Sequence, residues 1–244
     1  MLKPILAAFD FNNTIVNGDS LQTIVELGAG RSLPNVKSNY TLTMDAVSFT
    51  QTMIRSLQES KGITAKHIRQ ALRKLPLVPG LDAVLRLLKS RDCEVIIISD
   101  LMTVAVDDWL SGSEVSSLVD RVYANPARYD ADGYIVIEPY HRQDWCDKSY
   151  RHICKGHVLE EHIRSRMADG VSFGRLAFFG DGSNDLCPVL RLGEKDLAFP
   201  REGYKLNELL DSNPPGQVKA AIHPWSSGED IIGIFKSHLT SSEG

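Results

Sequence analysis

The sequence contains no apolar run approaching the roughly 18 residues that a membrane span requires, so no membrane association is expected. Cysteine is scarce. Cys93, Cys146, Cys154 and Cys187 are scattered without a disulfide-framework spacing, and a reducing cytoplasm is the simplest home for them. There is no basic excess: a net charge of -4 over 244 residues gives no electrostatic case for nucleic acid or an anionic membrane surface. Met1-Leu2-Lys3-Pro4 leads directly into an apolar strand pattern, so no secretory signal is expected. Two glycosylation sequons, Asn12-Asn13-Thr14 and Asn39-Tyr40-Thr41, then carry no meaning. Repeats and low-complexity tracts are absent, and only the Ser-Ser-Glu-Gly tail reads as loose. Nothing in the composition fixes an oligomeric state.

What is present suits one large domain, or a core domain with an insertion. The stretch from Leu6 to Val16 organises the reading. An apolar run ends abruptly at Asp10, and polar, turn-forming residues follow. That is the profile of a buried parallel strand whose carboxyl end delivers a functional side chain. Residues 17–78 then lack any strand signal. Apolar positions at Leu21, Ile24 and Val25, and at Val47, Phe49, Met53, Ile54 and Leu57 between about Tyr40 and Glu59, recur at helical spacing. Lys61-Gly62 ends the second helix, and Thr64 caps a third carrying Ile68, Ala71, Leu72 and Leu75. Pro76 and Pro79-Gly80 stop it.

After Pro79 helices and strands alternate. The pattern predicts a helix over 80–90, a strand over 93–98 ending in Ser99-Asp100, a helix over 102–119, and short strands at 122–124 and 133–138. A helix begins near Lys155. A strand over 175–179 ends in Gly180-Asp181-Gly182-Ser183-Asn184-Asp185, and further strands lie near 196–199 and 218–223 before a last helix over 229–238. The expected fold is α/β, a Rossmann-like three-layer core with a mostly parallel sheet and a helical cap inserted after the first strand. The core comprises 1–16 and 79–244, and the cap 17–78.

Three strands thus end in acids or hydroxyls, at Asp10, Ser99-Asp100 and Asp181, and a helix starts at Lys155. In an open α/β sheet the strand carboxyl ends converge on one crevice. Two carboxylates, Asp10 and Asp181, suit Mg²⁺, and Lys155 and Ser99 suit phosphoryl oxygens, so that Asp10 can attack a phosphate ester in line. Singly, an acid after a strand is most often a turn or helix cap. The joint pattern in chain order is what points to phosphoryl chemistry.

Asp10-Phe11-Asn12-Asn13-Thr14, Ser99, Lys155 and the 180–185 stretch resemble the four motifs of the haloacid dehalogenase superfamily of phosphatases. Ile98-Ser99-Asp100, Asn125-Pro126, Cys154-Lys155, 180–188, Ala198-Phe199-Pro200-Arg201 and Trp225-Ser226-Ser227-Gly228 resemble its orphan phosphatase family. That family includes pyridoxal phosphate phosphatases and phosphoethanolamine/phosphocholine phosphatases. The resemblance implies Asp10 as nucleophile and Mg²⁺ ligand, the position-12 carbonyl and Asp181 as further ligands, and Asp185 steadying the ion. It implies Ser99 and Lys155 on the phosphoryl group, with Asp100 beside the substrate. The cap would close over a small phosphorylated metabolite.

Three departures stand out against the family. Asn12 replaces the usual acid/base Asp, and an amide neither donates nor accepts the catalytic proton, which typically costs about 10²–10⁴-fold in rate. An engineered Asp→Asn replacement and a natural pseudophosphatase both account for it, and the completeness of the other motifs favours the first. Leu21 stands where the family usually has an acid, and Leu101 and Met102 where it usually has a small residue and then Asn. As pocket lining they weaken phosphocholine and phosphoethanolamine as substrates and favour pyridoxal phosphate, with thiamine monophosphate as an alternative; as cap packing they say nothing. Ser149 stands where another cysteine is common, so Zn²⁺ held by Cys146 and Cys154 with His141 or His152 is a weak reading. A non-catalytic binder and a phosphotransferase remain as other functional classes.

Overall fold

A computed structural model describes residues 1–30, 41, 45–212 and 216–240. Asn39 and Tyr40, and the 241–244 tail, lie outside them. Among the described residues no helix is long and apolar enough to cross a membrane.

The described residues form a six-stranded parallel sheet. In chain order its strands are β1 (Leu2–Phe9), β2 (Glu94–Met102), β3 (Arg121–Asn125), β6 (Ser172–Gly180), β7 (Leu197–Pro200) and β8 (Ala221–Ile222), and they lie side by side as β3-β2-β1-β6-β7-β8. β1 is central. Phe9 is in register with Ile97 of β2 and with Phe179 of β6, so the next residue, Asp10, emerges between the ends of two neighbours. Because both faces are covered, these strands are near-continuous apolar runs rather than alternating ones. One face packs Phe9, Phe179, Phe199 and Ile97 against α4 (Leu81–Ser90) and α9 (Gly228–Thr240). The other packs Leu6, Ile98 and Phe178 against α6 (Lys155–Ala168) and the helices α7 (Leu186–Val189) and α8 (Lys205–Asp211). This is the Rossmann-like three-layer α/β core expected.

Among the described residues of 17–78 the helices are α1 (Ser20–Ala29), α2 (Ala46–Lys61) and α3 (Ala65–Leu72). Asp19, Asp45 and Thr64 cap their first turns with side-chain oxygens, and Gly30 and Gly62 close α1 and α2 in the left-handed conformation. α3 stops at Leu72, one turn short of Leu75. These helices do not pack alone. An antiparallel hairpin, β4 (Ala127–Tyr129) and β5 (Ile135–Ile137), lies against α2, with Gln58 and Gln51 accepting the Ile135 and Ile137 amides. The sequence pattern marked β5 but not β4, which is only three residues long. Leu21, Ile24, Ile54, Leu101, Met102, Ile135 and Ile137 share one apolar cluster. Leu21 is therefore packing between elements.

The helix expected over 102–119 is shorter than its pattern. α5 covers Thr103–Leu110, and a separate 3₁₀ turn follows at Ser116–Leu118. Ser111-Gly112-Ser113 breaks it, because serine competes for backbone bonds: Ser113 Oγ accepts the Val115 amide.

Candidate active site

Asp10 sits one residue beyond β1, with its amide held by the Phe179 carbonyl at 2.9 Å. Asp181 sits one residue beyond β6. Asp185 lies in the 3₁₀ turn Ser183–Asp185 that follows, and Lys155 opens α6. Carboxylate oxygens of Asp10, Asp181 and Asp185 all lie within 4.8 Å of one another. The Lys155 ammonium reaches between them, donating to Asp10 Oδ1 at 2.5 Å and Asp185 Oδ1 at 2.7 Å. Asp10, Asp185 and Lys155 are essentially removed from solvent. A cation at a helix start is unfavourable for the helix dipole, and the two buried carboxylates supply the reason for it.

Asp185 has a second task. Its Oδ2 accepts the amides of Asp181 (3.1 Å) and Gly182 (2.9 Å), which pins the turn that presents Asp181. Residue 180 must be glycine for this: a Cβ there would stand 2.5 Å from Asp185 Cγ. Asn13 donates to Asp181 Oδ2 at 3.2 Å.

Three carboxylates face one ammonium, and the imbalance appears in the titration of Asp10 and Asp181. Burial pushes Asp10 up to about 6, against the pull of Lys155, and Asp185 and Asp100 push the same way. Burial, then Asp10 and Asp185, hold Asp181 well above the usual carboxylate range. For Lys155, burial alone would favour the neutral amine, but Asp10, Asp185 and Asp100 outweigh it and keep it charged. A hard divalent cation among the three carboxylates would remove this excess of negative charge, and oxygen ligands of this kind suit Mg²⁺. The donor set therefore fits the ion expected.

The Asn12 side chain does not join the cluster directly. Its Oδ1 accepts both the Ser20 amide (3.1 Å) and the Ser20 hydroxyl (3.0 Å), while the buried Nδ2 has no hydrogen-bond partner among the described residues. Ser99 is buried near the end of β2, and its Oγ accepts the Leu101 amide at 3.2 Å. Asp100 is held by its backbone carbonyl, which accepts from Asn125 Nδ2 at 2.7 Å and lies 3.2 Å from His152 Nε2. Asp100, Leu101 and His152 line a cavity of about 20 Å³ against Val47 and Thr50 of α2. His152 also borders a groove of about 590 Å³ walled by Asp45, Ser48, Arg142 and Arg151.

Two contributors escaped the sequence reading. Ser20, which begins α1, orients Asn12. Arg201, just past β7, donates through Nη1 to the Asn13 carbonyl at 2.5 Å and through Nη2 to Asn17 Oδ1 at 2.8 Å. Its guanidinium stacks on Tyr204 and Trp225. Arg201 thus ties the β7 end to the loop after Asp10. A basic residue directly after a strand end was the available signal, and it was legible only as part of a motif.

A profile of the Putative Phosphatase family matches residues 5–239. The chain is 32% identical to the pyridoxal phosphate phosphatase of Homo sapiens over 96% of this chain and 97% of that one. It is 34% identical to the phosphoethanolamine/phosphocholine phosphatase of Homo sapiens over 93% and 86%. In fold it resembles a substrate-bound phosphoserine phosphatase complex, with a TM-score of 0.55 and 19% identity, over 87% of this chain and 99% of that one. A probable phosphoserine phosphatase from Vibrio cholerae gives a TM-score of 0.57 at 18% identity, over 99% and 67%.

Proposed function

Because the chain belongs to the Putative Phosphatase family, we propose that it is built to hydrolyse the phosphomonoester of a small metabolite with Mg²⁺, through an aspartyl-phosphate on Asp10. The observation that carries this reading is the meeting of the Asp10, Asp181 and Asp185 carboxylates around the Lys155 ammonium at the carboxyl ends of parallel strands.

Asp10, Asp181 and the Asn12 backbone carbonyl would hold the ion, with Asp185 steadying it. When bound, Mg²⁺ supplies charge that screens carboxylate from phosphate dianion. An Asp10 carboxylate oxygen forms a bond to phosphorus while the ester P–O bond opposite it breaks. The Lys155 ammonium and the Ser99 hydroxyl hold phosphoryl oxygens as that charge shifts. The departing oxygen then needs a proton, and a water must later lose one. Asn12 cannot do either. Its Oδ1 is held by Ser20 as a carboxylate's would be, so position 12 keeps the orientation of an acid/base and lacks only its proton.

Helices α1, α2 and α3 form the cap, with the β4–β5 hairpin packed beneath them, and the leaving group faces the groove beside His152 and Arg151. Pyridoxal phosphate is the favoured substrate. Leu101 and Met102 make the adjoining wall apolar, and Arg142 and Arg151 border the groove, which suits a flat polar ring better than a quaternary ammonium. The free thiols of Cys93, Cys146, Cys154 and Cys187 suit a reducing cytoplasm.

The test is phosphate release with Mg²⁺ by this chain and by Asn12→Asp, side by side. The panel is pyridoxal phosphate, phosphocholine, phosphoethanolamine and thiamine monophosphate. Asn12→Asp is expected to turn over about 10²–10⁴-fold faster on one of them. Failure of both forms on every ester would refute hydrolysis and leave a non-catalytic binder.

A further inference from the structure

Behind the Lys155–Asp185 pair lies a second cluster, built of softer donors. Cys146, Cys154 and Cys187 bring their sulfurs together within 4.8 Å of one another. Cys187 is 3.4 Å from Cys146 and 3.6 Å from Cys154, sulfur to sulfur. The Ser149 hydroxyl oxygen is 3.3 Å from the Cys154 sulfur and 3.5 Å from that of Cys146. Cys154, Cys187 and Ser149 are buried.

These four separations are close to the edges of a tetrahedron around one zinc ion. Zinc–sulfur bonds of about 2.3 Å at tetrahedral angles place sulfurs about 3.8 Å apart, and a zinc–oxygen bond of about 2.0 Å places oxygen about 3.5 Å from each sulfur. The four donors already stand near those spacings. A disulfide would leave the third cysteine unpaired, whereas one tetrahedral ion uses all of them.

The surroundings are shaped for the cluster. One side chain organises the loop: the carbonyls of Cys146, Ser149 and Tyr150 all lie within 3.2 Å of Gln143 Nε2 and share its two N–H groups, and its Oε1 accepts the Cys146 amide. Gly156 is required for closure, since a Cβ there would lie 2.7 Å from the Cys187 sulfur. Three thiolates around a divalent ion leave one negative charge, and Arg191 Nη2 stands 3.8 Å from the Cys154 sulfur. Arg191 also pairs with Glu160, which fixes its position. The histidines expected as partners do not take part. His141 Nε2 accepts the Cys154 amide at 2.8 Å, and His152 Nε2 faces the Asp100 carbonyl.

We infer that Cys146, Cys154, Cys187 and Ser149 form a structural Zn²⁺ site, separate from the carboxylate cluster, that clamps the start of α6 to the turn carrying Asp185. Cys154 precedes Lys155, and Cys187 follows Asp185 by two residues, so the ion fixes the backbone on both sides of that pair. The neutral hydroxyl of Ser149 is its weakest ligand.

The test uses the full chain, purified without chelator from zinc-containing medium, with metal content measured directly. About one zinc per chain is expected, released by a thiol-blocking organomercurial. Replacing zinc with Co²⁺ is expected to produce thiolate-to-cobalt charge transfer and the intense visible bands of a tetrahedral site. These persist in Asp181→Asn and vanish in Cys187→Ala. Ser149→Cys, which exchanges the weakest ligand for a thiolate, is expected to hold zinc at least ~10-fold more tightly. Substoichiometric zinc with no charge-transfer band on adding Co²⁺ to the reduced chain overturns the proposal. So does metal that is lost in Asp181→Asn and kept in Cys187→Ala, or a Ser149→Cys affinity no higher than that of the parent. The readouts are content and absorbance of the resting protein, so they do not depend on turnover.

Discussion

Replacing the proposed nucleophile is expected to stabilise the metal-free protein. Asp10 is buried, and burial with the repulsion of Asp185 and Asp100 pushes it from 3.8 up to about 6 against the pull of Lys155. The folded state therefore binds a proton at Asp10 more tightly than the unfolded chain does. The stability associated with this proton is fully present below about pH 4 and is lost as pH rises through about 6. Above that, an ionised Asp10 costs the fold about 3 kcal/mol relative to a neutral group, at 1.36 kcal/mol per pKa unit. Asp10→Asn mimics the neutral carboxyl and leaves Lys155 paired with Asp185 at 2.7 Å. With chelator present, thermal unfolding should show Asp10→Asn and its parent nearly alike near pH 3.5, the gap opening between about pH 4 and 6. The variant should gain as pH rises and lead by roughly 6–12 °C near pH 7.5, for a chain of this size. Saturating Mg²⁺ should narrow the gap, because the ion stabilises only the carboxylate form strongly. A variant less stable than its parent at pH 7.5 without metal, or a difference that does not change with pH, would refute the reasoning.

Two further perturbations probe the supports of the site. Gly180→Ala places a methyl 2.5 Å from Asp185 Cγ, so Asp185 must leave the Asp181 and Gly182 amides. A loss of about 1–3 kcal/mol in denaturant unfolding and a 10–100-fold weaker Mg²⁺ affinity by titration calorimetry are expected. Arg201→Ala frees the Asn13 carbonyl and Asn17; in the Asn12→Asp background it should lower kcat/KM about 10²-fold through misplacement of the loop. Arg201→Lys should fail to rescue it, since an ammonium cannot make the forked contact; full activity in either variant would show that the loop holds itself.

The local sequence was sufficient for the strands of the parallel sheet and for which of them end in reactive groups. Apolar runs that stop at Asp10, Ser99 and Asp181 announce themselves, because strand burial and turn chemistry are written into adjacent residues. Capping was equally legible at Thr64 and Gly62, where the interaction spans three or four positions. The same local signals misjudged the helix over 102–119 and passed over β4, whose three residues are ordered by pairing with β5 rather than by propensity. Only the tertiary structure decided who meets whom. Lys155 reaches Asp10 across 145 positions and Arg201 reaches Asn13 across 188, because sheet order, set by packing on both faces, brings β1, β6 and β7 side by side. It also added Cys187, far along the chain, to Cys146 and Cys154, while turning His141 and His152 to backbone groups. Spacing along a chain carries no information about such encounters, since the free energy that selects them comes from burying whole faces of the sheet.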